Sequence, residues 1–178
     1  MTLTGTRCTV RSWRMEDVDA VVRHANNINV ARQLRDRFPH PYTRANAIPF
    51  LKSAVANSDA SNLAIEVDGA AAGAIGYVRG TDVERYSAEI GYWLGESYWR
   101  RGIASEALIL VTDYVFSTLN LLRLFALPFA DNPGSIRVLE KAGYVREATL
   151  QCSSVKYGKS RDQALYVRIN PSWRGVTD

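Results

Sequence analysis

The chain has 178 residues, of which 47% are hydrophobic, and its formal net charge is +4. This length and composition predict a single domain over residues 1–178, with a core from about residue 7 to about residue 170. The charge is mild and shows no run of one sign, which argues against a nucleic-acid binder. Two histidines and two distant cysteines give no metal-ligand spacing, so no metal is expected.

The segment Met1–Gly5 lacks the pattern of a signal peptide, and no apolar run approaches the length that spans a membrane. We therefore expect a cytoplasmic protein with no membrane partner. Cys8 and Cys152 are expected to be buried, reduced thiols. Neither has a histidine beside it in sequence, so neither is proposed as a nucleophile.

The first third of the chain predicts mostly helix. Its predicted elements are a strand over Arg7–Arg11 and helices over Glu16–Ala25, Asn29–Leu34 and Thr43 to about Asn57. Pro49 predicts a kink in the last helix or a later start. Phe38–Tyr42 contains two prolines and cannot be regular helix.

Most of the predicted sheet follows. The predicted strands are Asn62–Val67, Ala72–Arg79, Ala88–Leu94, Leu122–Leu127, Tyr144–Ser153 and Gln163–Ile169. The first two and the last two read as hairpins, the latter around Lys156–Lys159. The spacing of Gly69, Gly73 and Gly76 is that of a dinucleotide fingerprint, but it opens no helix and is rejected. Pro171–Asp178 is expected to be a loose tail.

The clearest helical pattern runs from about Arg101 to Thr118, between the strands Ala88–Leu94 and Leu122–Leu127. Because a strand–helix–strand order requires a crossover, those two strands are predicted to be parallel. Asn132 followed by proline predicts the start of a further helix, and Gly143 predicts its end.

A strand that enters a helix through small residues can bind an anion, and Tyr98–Ala107 has this form. The first-turn backbone N–H groups have no acceptor within the helix, and they lie at the positive end of its dipole. Gly102 and Ala104 let a phosphate come close, while Arg100 and Arg101 add positive charge. The sequence therefore predicts a phosphate-binding loop at the start of the long helix, with a buried helix that merely begins with glycine as the alternative.

This loop, Trp99-x-x-Gly102-x-Ala104, resembles the acetyl-CoA pyrophosphate loop of GNAT-superfamily N-acetyltransferases, Gln/Arg-x-x-Gly-x-Gly/Ala. The departure at Trp99, together with Glu89–Leu94, resembles the branch that acetylates N-terminal amines of ribosomal proteins. Asn132–Tyr144 resembles the family segment Asn-x-x-Ser-x-x-x-x-x-Lys-x-Gly-Phe. Two motifs in this order, about thirty residues apart, are far more specific than either one alone.

The resemblance implies the GNAT fold, an α/β (α+β) domain with a mixed, mostly antiparallel twisted sheet of about seven strands and helices on both faces. It implies a central parallel pair of strands that splays apart near Leu94. It also implies acetyl-CoA as cosubstrate without a metal, and a primary amine as acceptor. The N-terminal helical pieces would cover that amine, so specificity is expected around Arg32 to Tyr42, with a surface loop of no function as the alternative.

The resemblance also assigns the cofactor site. Backbone N–H groups of the loop would hold the pyrophosphate, and the strand before it would pair with the pantetheine arm. The implied cofactor-binding residues are Tyr92, Trp93, Leu94, Arg100, Arg101, Gly102, Ile103, Ala104, Ser105, Asn132 and Lys141. Helix capping is the alternative role for Asn132, and a solvated helix-end cation is the alternative for Lys141.

Direct attack of an amine on a thioester needs a base, an oxyanion donor and a proton donor for the thiolate. Glu89 is the candidate base, through water, although an outward-facing strand acid is an equal alternative. A backbone N–H near Leu94 is the expected oxyanion donor. Ser135 is the candidate acid, with a capping hydroxyl as its alternative. Gln151–Val155, where some relatives carry a further glutamate, has no acid.

The favoured acceptor is a peptide N-terminus, because an α-amine with a pKa of about 7.7–8 is more often neutral than a lysine amine near about 10.4. One alternative is a small amine, such as an antibiotic or a polyamine. Another is a CoA-binding module without turnover. A translation-associated nucleic-acid binder ranks last, and the sequence leaves a homodimer open.

Overall fold

The computed structural model describes residues 1–56 and 61–175. Their strands form one eight-stranded sheet in the order β1-β2-β3-β4-β5-β6-β8-β7. The strands are β1 (Thr2–Thr4), β2 (Thr9–Arg11), β3 (Asn62–Val67), β4 (Ala70–Arg79), β5 (Ser87–Leu94), β6 (Arg123–Ala126), β7 (Val145–Lys156) and β8 (Lys159–Ile169). Only β5 and β6 pair in parallel among these neighbours, which confirms the predicted mixed, mostly antiparallel sheet.

Helices cover both faces of the sheet, as predicted. They are α1 (Val18–Ala25), α2 (Ile28–Ala31), α3 (Arg44–Ala56), α4 (Ile103–Thr118) and α5 (Pro133–Lys141). On one face, α1 and α3 share a core with Ala64 and Ala74. On the other, α4 and α5 share a larger core with Ile65 and Ile75. Within residues 1–56 and 61–175, no helix is long and apolar enough to cross a membrane.

The N-terminal strand is shorter than predicted. β2 begins at Thr9 because the backbone N–H groups of Arg7 and Cys8 donate to the carboxylate of Glu106 on α4, at 2.6 and 3.0 Å. An additional edge strand, β1, pairs with β2. Its three residues are too short to give a periodic signal, and it raises the strand number above the predicted seven.

α3 starts where the sequence predicts, and Pro49 lies inside it without delaying its start. Asn46 Oδ1 accepts hydrogen bonds from the backbone N–H and the hydroxyl of Thr43, both at 2.9 Å, which fixes the entry to the helix. The predicted end at Asn57 lies outside the described residues, as do positions 176–178 of the predicted tail.

The two cysteines differ, so the prediction that both are buried is wrong for Cys152. Cys8 is buried, and burial together with the charge of Glu106 raises the pKa of its thiol to about 12. Cys152 is exposed on β7, with a φ of +49°. It lies where the register between β7 and β8 shifts, between Leu150 and Ser154, and such irregularities re-aim side chains.

Candidate active site

The parallel strands β5 and β6 part early. They pair from Ser87 with Arg123 to Glu89 with Phe125, and beyond this point β5 continues along β4 to Leu94. β6 ends at Ala126, and the chain turns through residues 127–131 toward α5. The predicted splay is therefore present, but it begins at Glu89 and not near Leu94. The edge of β5 from Ile90 to Leu94 faces a gap in the sheet.

Strand geometry directs backbone groups into this gap. The Gly95 N–H donates to the Ala72 carbonyl on β4 at 2.8 Å. Backbone groups of successive residues point to alternate sides of a strand, so those of Leu94 and Tyr92 point away from β4. The Leu94 carbonyl accepts a hydrogen bond from the indole Nε1 of Trp99 at 2.7 Å. The Leu94 N–H and both backbone groups of Tyr92 face the gap, where they can pair with an extended amide chain or an oxyanion.

β4 lies very close to this part of β5. A Cβ added at Gly73 would lie 2.2 Å from the Trp93 carbonyl oxygen and 2.9 Å from the Leu94 Cα. Glycine at this position is therefore required by strand packing. Gly69, Gly73 and Gly76 all lie in the β3–β4 hairpin and its turn, which agrees with the rejection of a dinucleotide fingerprint.

The loop between β5 and α4 contains two residues with left-handed backbone, Arg100 at φ +64° and Gly102 at φ +79°. Glycine adopts this conformation freely, whereas arginine adopts it at a cost of about 1–3 kcal/mol. α4 begins two residues later than predicted, with Gly102 as an N-cap that has no side chain to cap the helix. The Glu106 N–H makes a bond to the Gly102 carbonyl at 3.0 Å. The N–H groups of residues 103–105 precede that bond and point out of the helix end, where they can bind an anion.

Three arginines surround this helix end. Arg100 and Arg101 are exposed, and the Arg101 guanidinium lies 5.6 Å from the centre of the Tyr98 ring. Arg7 arrives from the N-terminal loop, and its Nε lies 3.3 Å from the position of a Cβ added at Gly102. Sequence reasoning did not identify Arg7, because no local pattern links residue 7 to the loop.

Glu106 brings Arg7 to this place. Its carboxylate accepts hydrogen bonds from the Thr6 hydroxyl at 2.7 Å and from the backbone N–H groups of Arg7 and Cys8. Burial acts to raise the pKa of Glu106, but these hydrogen bonds outweigh it and lower the pKa to about 2. Glu106 lies in the first turn of α4, where a carboxylate also complements the helix dipole. The structure adds the anchoring of the N-terminal loop.

We expect Glu106→Gln to lower the free energy of unfolding at pH 7 by about 1–3 kcal/mol, because an amide replaces a charged acceptor of several hydrogen bonds. The folded-state pKa of Glu106 is lowered, so its contribution is present above the unfolded pKa of about 4.3 and is lost as the pH falls toward about 2. Urea denaturation from pH 7 to pH 2.5 checks this, with the exposed Glu84→Gln as control. A stability difference that does not change with pH would contradict it.

The candidate base lies on the face of β5 that α1 and α3 cover. The Glu89 carboxylate forms an ion pair with Arg35, from the loop between α2 and α3. Next on this face is Gly91, which is exposed, and an added Cβ there would lie more than 4 Å from every described residue except its chain neighbours. Trp93 follows, with its ring 5.5 Å from that of Phe38. Glu89 therefore borders an open strip of β5, and its carboxylate has a cation as partner.

The segment predicted to set specificity, residues 32–42, is attached to the β7–β8 hairpin. Arg161 on β8 donates to the Arg32 carbonyl at 3.0 Å. Lys156 on β7, whose side chain is only 4% exposed, donates to Asp36 at 2.8 Å. With the Arg35 ion pair, these contacts hold the segment over the face that carries Glu89.

A cleft of about 400 Å³ lies beside these contacts, lined by Ala130, Asp131, Ser160, Arg161 and Asp162. Arg161 forms an ion pair with Asp131 and lies 3.6 Å from the centre of the Phe129 ring. Asp162 Oδ1 accepts the backbone N–H of Cys152 at 2.8 Å. The segment Gln151–Val155 has no acid, but Asp162 on the neighbouring strand places a carboxylate next to it.

The second motif places two candidate residues together. Asn132 Oδ1 accepts the Ser135 N–H at 3.1 Å and caps α5, as predicted, which leaves its amide nitrogen for a ligand. Ser135 Oγ lies 2.9 Å from the Tyr92 hydroxyl, so α5 is joined to β5 across the gap. Lys141 lies at the other end of α5, nine residues on and about 13 Å of helical rise from Asn132. The structure does not bring Lys141 to this cluster.

The chain belongs to the GNAT acetyltransferase family, because residues 7–145 match the model described as Acetyltransferase (GNAT) domain. The uncharacterized N-acetyltransferase YoaA of Bacillus subtilis is 39% identical over 84 residues. That alignment covers 47% of this chain and 48% of YoaA, so the chain spans about half the length of this relative.

Two relatives in Escherichia coli carry names that state an acceptor. The ribosomal-protein-serine acetyltransferase is 35% identical over 83 residues, 47% of this chain and 46% of that protein. Spermidine N(1)-acetyltransferase is 28% identical over 142 residues, 79% of this chain and 74% of that protein.

Solved structures share the fold. An acetyltransferase of the GNAT family from Bacillus anthracis superposes with a TM-score of 0.84 at 23% identity, over 96% of this chain and 99% of that one. RimL, a ribosomal L7/L12 α-N-protein acetyltransferase solved in complex with coenzyme A, superposes with a TM-score of 0.83 at 19% identity. This match covers 95% of this chain and 98% of that one.

Proposed function

We propose that this chain transfers the acetyl group of acetyl-CoA to the α-amine of a peptide N-terminus. The observation that carries the proposal is the gap between β5 and β6. The uncapped end of α4 lies on the loop that follows β5, and Glu89 and Ser135 lie on opposite faces of the sheet beside the gap. This arrangement offers a place for a diphosphate, a strand-like partner for an amide chain and polar groups on both sides of a thioester.

The residues present fit the cosubstrate. The N–H groups of residues 103–105, with Arg100 and Arg101, would hold the pyrophosphate, and Arg7 would add a third cation. The backbone N–H and carbonyl of Tyr92, which face the gap, would pair with the pantetheine amides, and the Leu94 N–H would remain for the thioester. The amide nitrogen of Asn132 would approach from the other side. Trp93, whose backbone faces β4, and Lys141 stay predictions of the motif. Bound acetyl-CoA supplies an activated acyl group.

The chemistry follows from the groups around the gap. Glu89 would take the proton of the attacking amine, directly or through water, and Arg35 has to leave its carboxylate for this to happen. The Leu94 N–H would stabilise the tetrahedral oxyanion, and one such donor is worth about 2.7–4 kcal/mol. Ser135 would face the departing sulfur.

Charge on the acceptor side favours a peptide over a polyamine. The segment that covers Glu89 carries Arg32, Arg35 and Arg37 but only one acid, Asp36, which Lys156 already binds. A polyamine would bring several positive charges against these arginines, whereas a peptide N-terminus brings one ammonium and backbone carbonyls that guanidinium groups can bind. The ribosomal-protein-serine acetyltransferase among the relatives supports the same acceptor class.

A small amine is the second candidate. The spermidine N(1)-acetyltransferase of Escherichia coli is a relative over most of both chains. The cleft beside the segment also contains two carboxylates, Asp131 and Asp162, that could attract a cationic acceptor.

Mass spectrometry after incubation with acetyl-CoA tests the acceptor. We expect a peptide with a free N-terminal serine to gain one acetyl group at its α-amine. The same peptide with a blocked N-terminus and an internal lysine, and spermidine, should react at least about tenfold more slowly, because the lysine amine is mostly protonated and spermidine meets the arginines. Faster transfer to spermidine would favour the second candidate. CoA binding with no transfer to any amine would indicate a binding module.

A further inference from the structure

The Tyr92 hydroxyl has no role in the chemistry described so far, yet it is the group that contacts Ser135. It lies 2.9 Å from Ser135 Oγ and 3.1 Å from the Ser135 carbonyl oxygen. The ring packs against the core beneath α4 and α5. Burial raises the pKa of this phenol, and the hydrogen bond with Ser135 only partly opposes the shift. Tyr92 therefore keeps its proton over the whole working pH range.

Counting protons limits what this pair can do. Tyr92 has one proton and two acceptors within reach, the Oγ and the carbonyl of Ser135. The carbonyl lies in the first turn of α5, where it accepts the N–H four residues on. Within residues 1–56 and 61–175 the Oγ has no hydrogen bond besides its contact with Tyr92, so it is the acceptor with the greater need for the phenol proton. When Tyr92 donates to Oγ, the hydrogen of Ser135 is free to turn away from Tyr92.

We infer that Tyr92 is a positioning residue whose hydroxyl donates to Ser135 Oγ and turns the Ser135 hydrogen into the gap between β5 and β6, where Ser135 gives a hydrogen bond, and not its proton, to the departing sulfur. This inference rests on the proposed function. It changes the predicted role of Ser135 from an acid to a hydrogen-bond donor.

The balance of the step supports a hydrogen bond. The amine nitrogen forms a bond to the acyl carbon and passes a proton to Glu89, while the carbon–sulfur bond breaks and sulfur keeps the electron pair. A thiol ionises near pH 8.5, about the value of cysteine, so the thiolate is a stable product that takes its proton from water. Full proton transfer from Ser135 would leave an alkoxide whose hydrogen-bond partner among the described residues is Tyr92, and burial opposes a phenolate there.

Calorimetry with CoA and acetyl-CoA at pH 7 and pH 9 tests the orientation without turnover. The fraction of CoA present as thiolate rises from pH 7 to pH 9, and a charge-assisted hydrogen bond to the thiolate should make CoA bind about tenfold more tightly relative to acetyl-CoA at pH 9 than at pH 7. We expect Tyr92→Phe and Ser135→Ala each to abolish this gain. Tyr144→Phe is the matched control, since it removes another buried phenol hydroxyl, bonded to Thr112 at 2.8 Å, on the same side of the sheet. It should keep the gain.

Kinetics supply the second measurement. Tyr92→Phe should lower kcat about tenfold with an unchanged KM for acetyl-CoA, and adding it to Ser135→Ala should have no further effect. The inference would be overturned if Tyr92→Phe kept the wild-type kcat and the wild-type gain in CoA affinity at pH 9, while Ser135→Ala lost both. The proposed function would then still stand. If Tyr92→Phe abolished the gain in CoA affinity at pH 9 but the wild-type protein acetylated no amine, the orientation of Ser135 would be supported. The proposed function would be contradicted.

Discussion

Gly102→Glu should weaken CoA binding at least about 100-fold while the chain remains folded. The new carboxylate would sit at the N–H groups of residues 103–105, where it would repel a pyrophosphate and compete for its donors. The loss of 100-fold corresponds to about 2.7 kcal/mol. A side chain at φ +79° costs about 1–2 kcal/mol in stability, and an added Cβ meets mainly the flexible Arg7 side chain.

The matched control is Gly158→Glu, at the tip of the β7–β8 hairpin. Gly158 has φ +73°, and apart from its chain neighbours no residue in the described part of the chain lies within 4 Å of an added Cβ. The variant therefore adds the same charge and a similar backbone cost at another place. Isothermal calorimetry with CoA compares the two, and urea denaturation verifies that both are folded. If Gly102→Glu and Gly158→Glu bind CoA equally well, the phosphate loop has been assigned to the wrong segment.

The parts of this site that lie within one stretch of chain could be predicted. Asn132 and the proline after it define a helix start by local chemistry alone, and the structure shows the capping bond. The passage from Leu94 to Gly102 likewise combines a strand signal, a small-residue turn and a helical stripe. Each of these signals acts over a few residues, so a single sequence contains all the information needed to find it.

The contacts that complete the site join distant parts of the chain and could not be predicted in the same way. Arg7 reaches the phosphate loop because Glu106 binds the N-terminal loop, and no periodic pattern encodes that bond. The same holds for Arg35, which pairs with Glu89 across more than fifty positions of sequence. Such pairs depend on which strands become neighbours, which is a property of the whole fold.

Tyr92 shows a third case, in which the residue was identified and its contact was not. The family motif assigned Tyr92 a backbone role on the strand beside the cofactor. Its side chain instead reaches α5, because β6 has already parted from β5 at this level of the sheet. The parallel pairing of β5 with β6 ends at Glu89 and not near Leu94, and this early end brings Ser135 within reach.

Glu89→Gln should lower kcat about 100-fold or more with the best amine acceptor, because the isosteric amide cannot accept a proton. The pH dependence that protonation of the acceptor amine causes should remain, because the substitution leaves the acceptor unchanged. Glu147→Gln is the matched control, since Glu147 also pairs with an arginine, Arg123, but lies away from the gap on β7. It should change neither kcat nor the pH profile. The rate of thiol release, measured at pH values from about 5 to about 9, compares both variants with the wild-type protein.

The variant Arg35→Gln distinguishes two roles for Glu89, a general base or merely a structural ion-pair partner of Arg35. If Glu89 serves only to hold the segment at residues 32–42, removing either partner breaks the same contact, so Arg35→Gln and Glu89→Gln should have equal effects on rate and stability. If Glu89 is the base, Arg35→Gln frees its carboxylate and keeps turnover, while Glu89→Gln loses it. The incoming ammonium then takes the place of the guanidinium, because both are cations that the same carboxylate can bind. Equal losses in the two variants would remove Glu89 from the chemistry and leave it a role in packing alone.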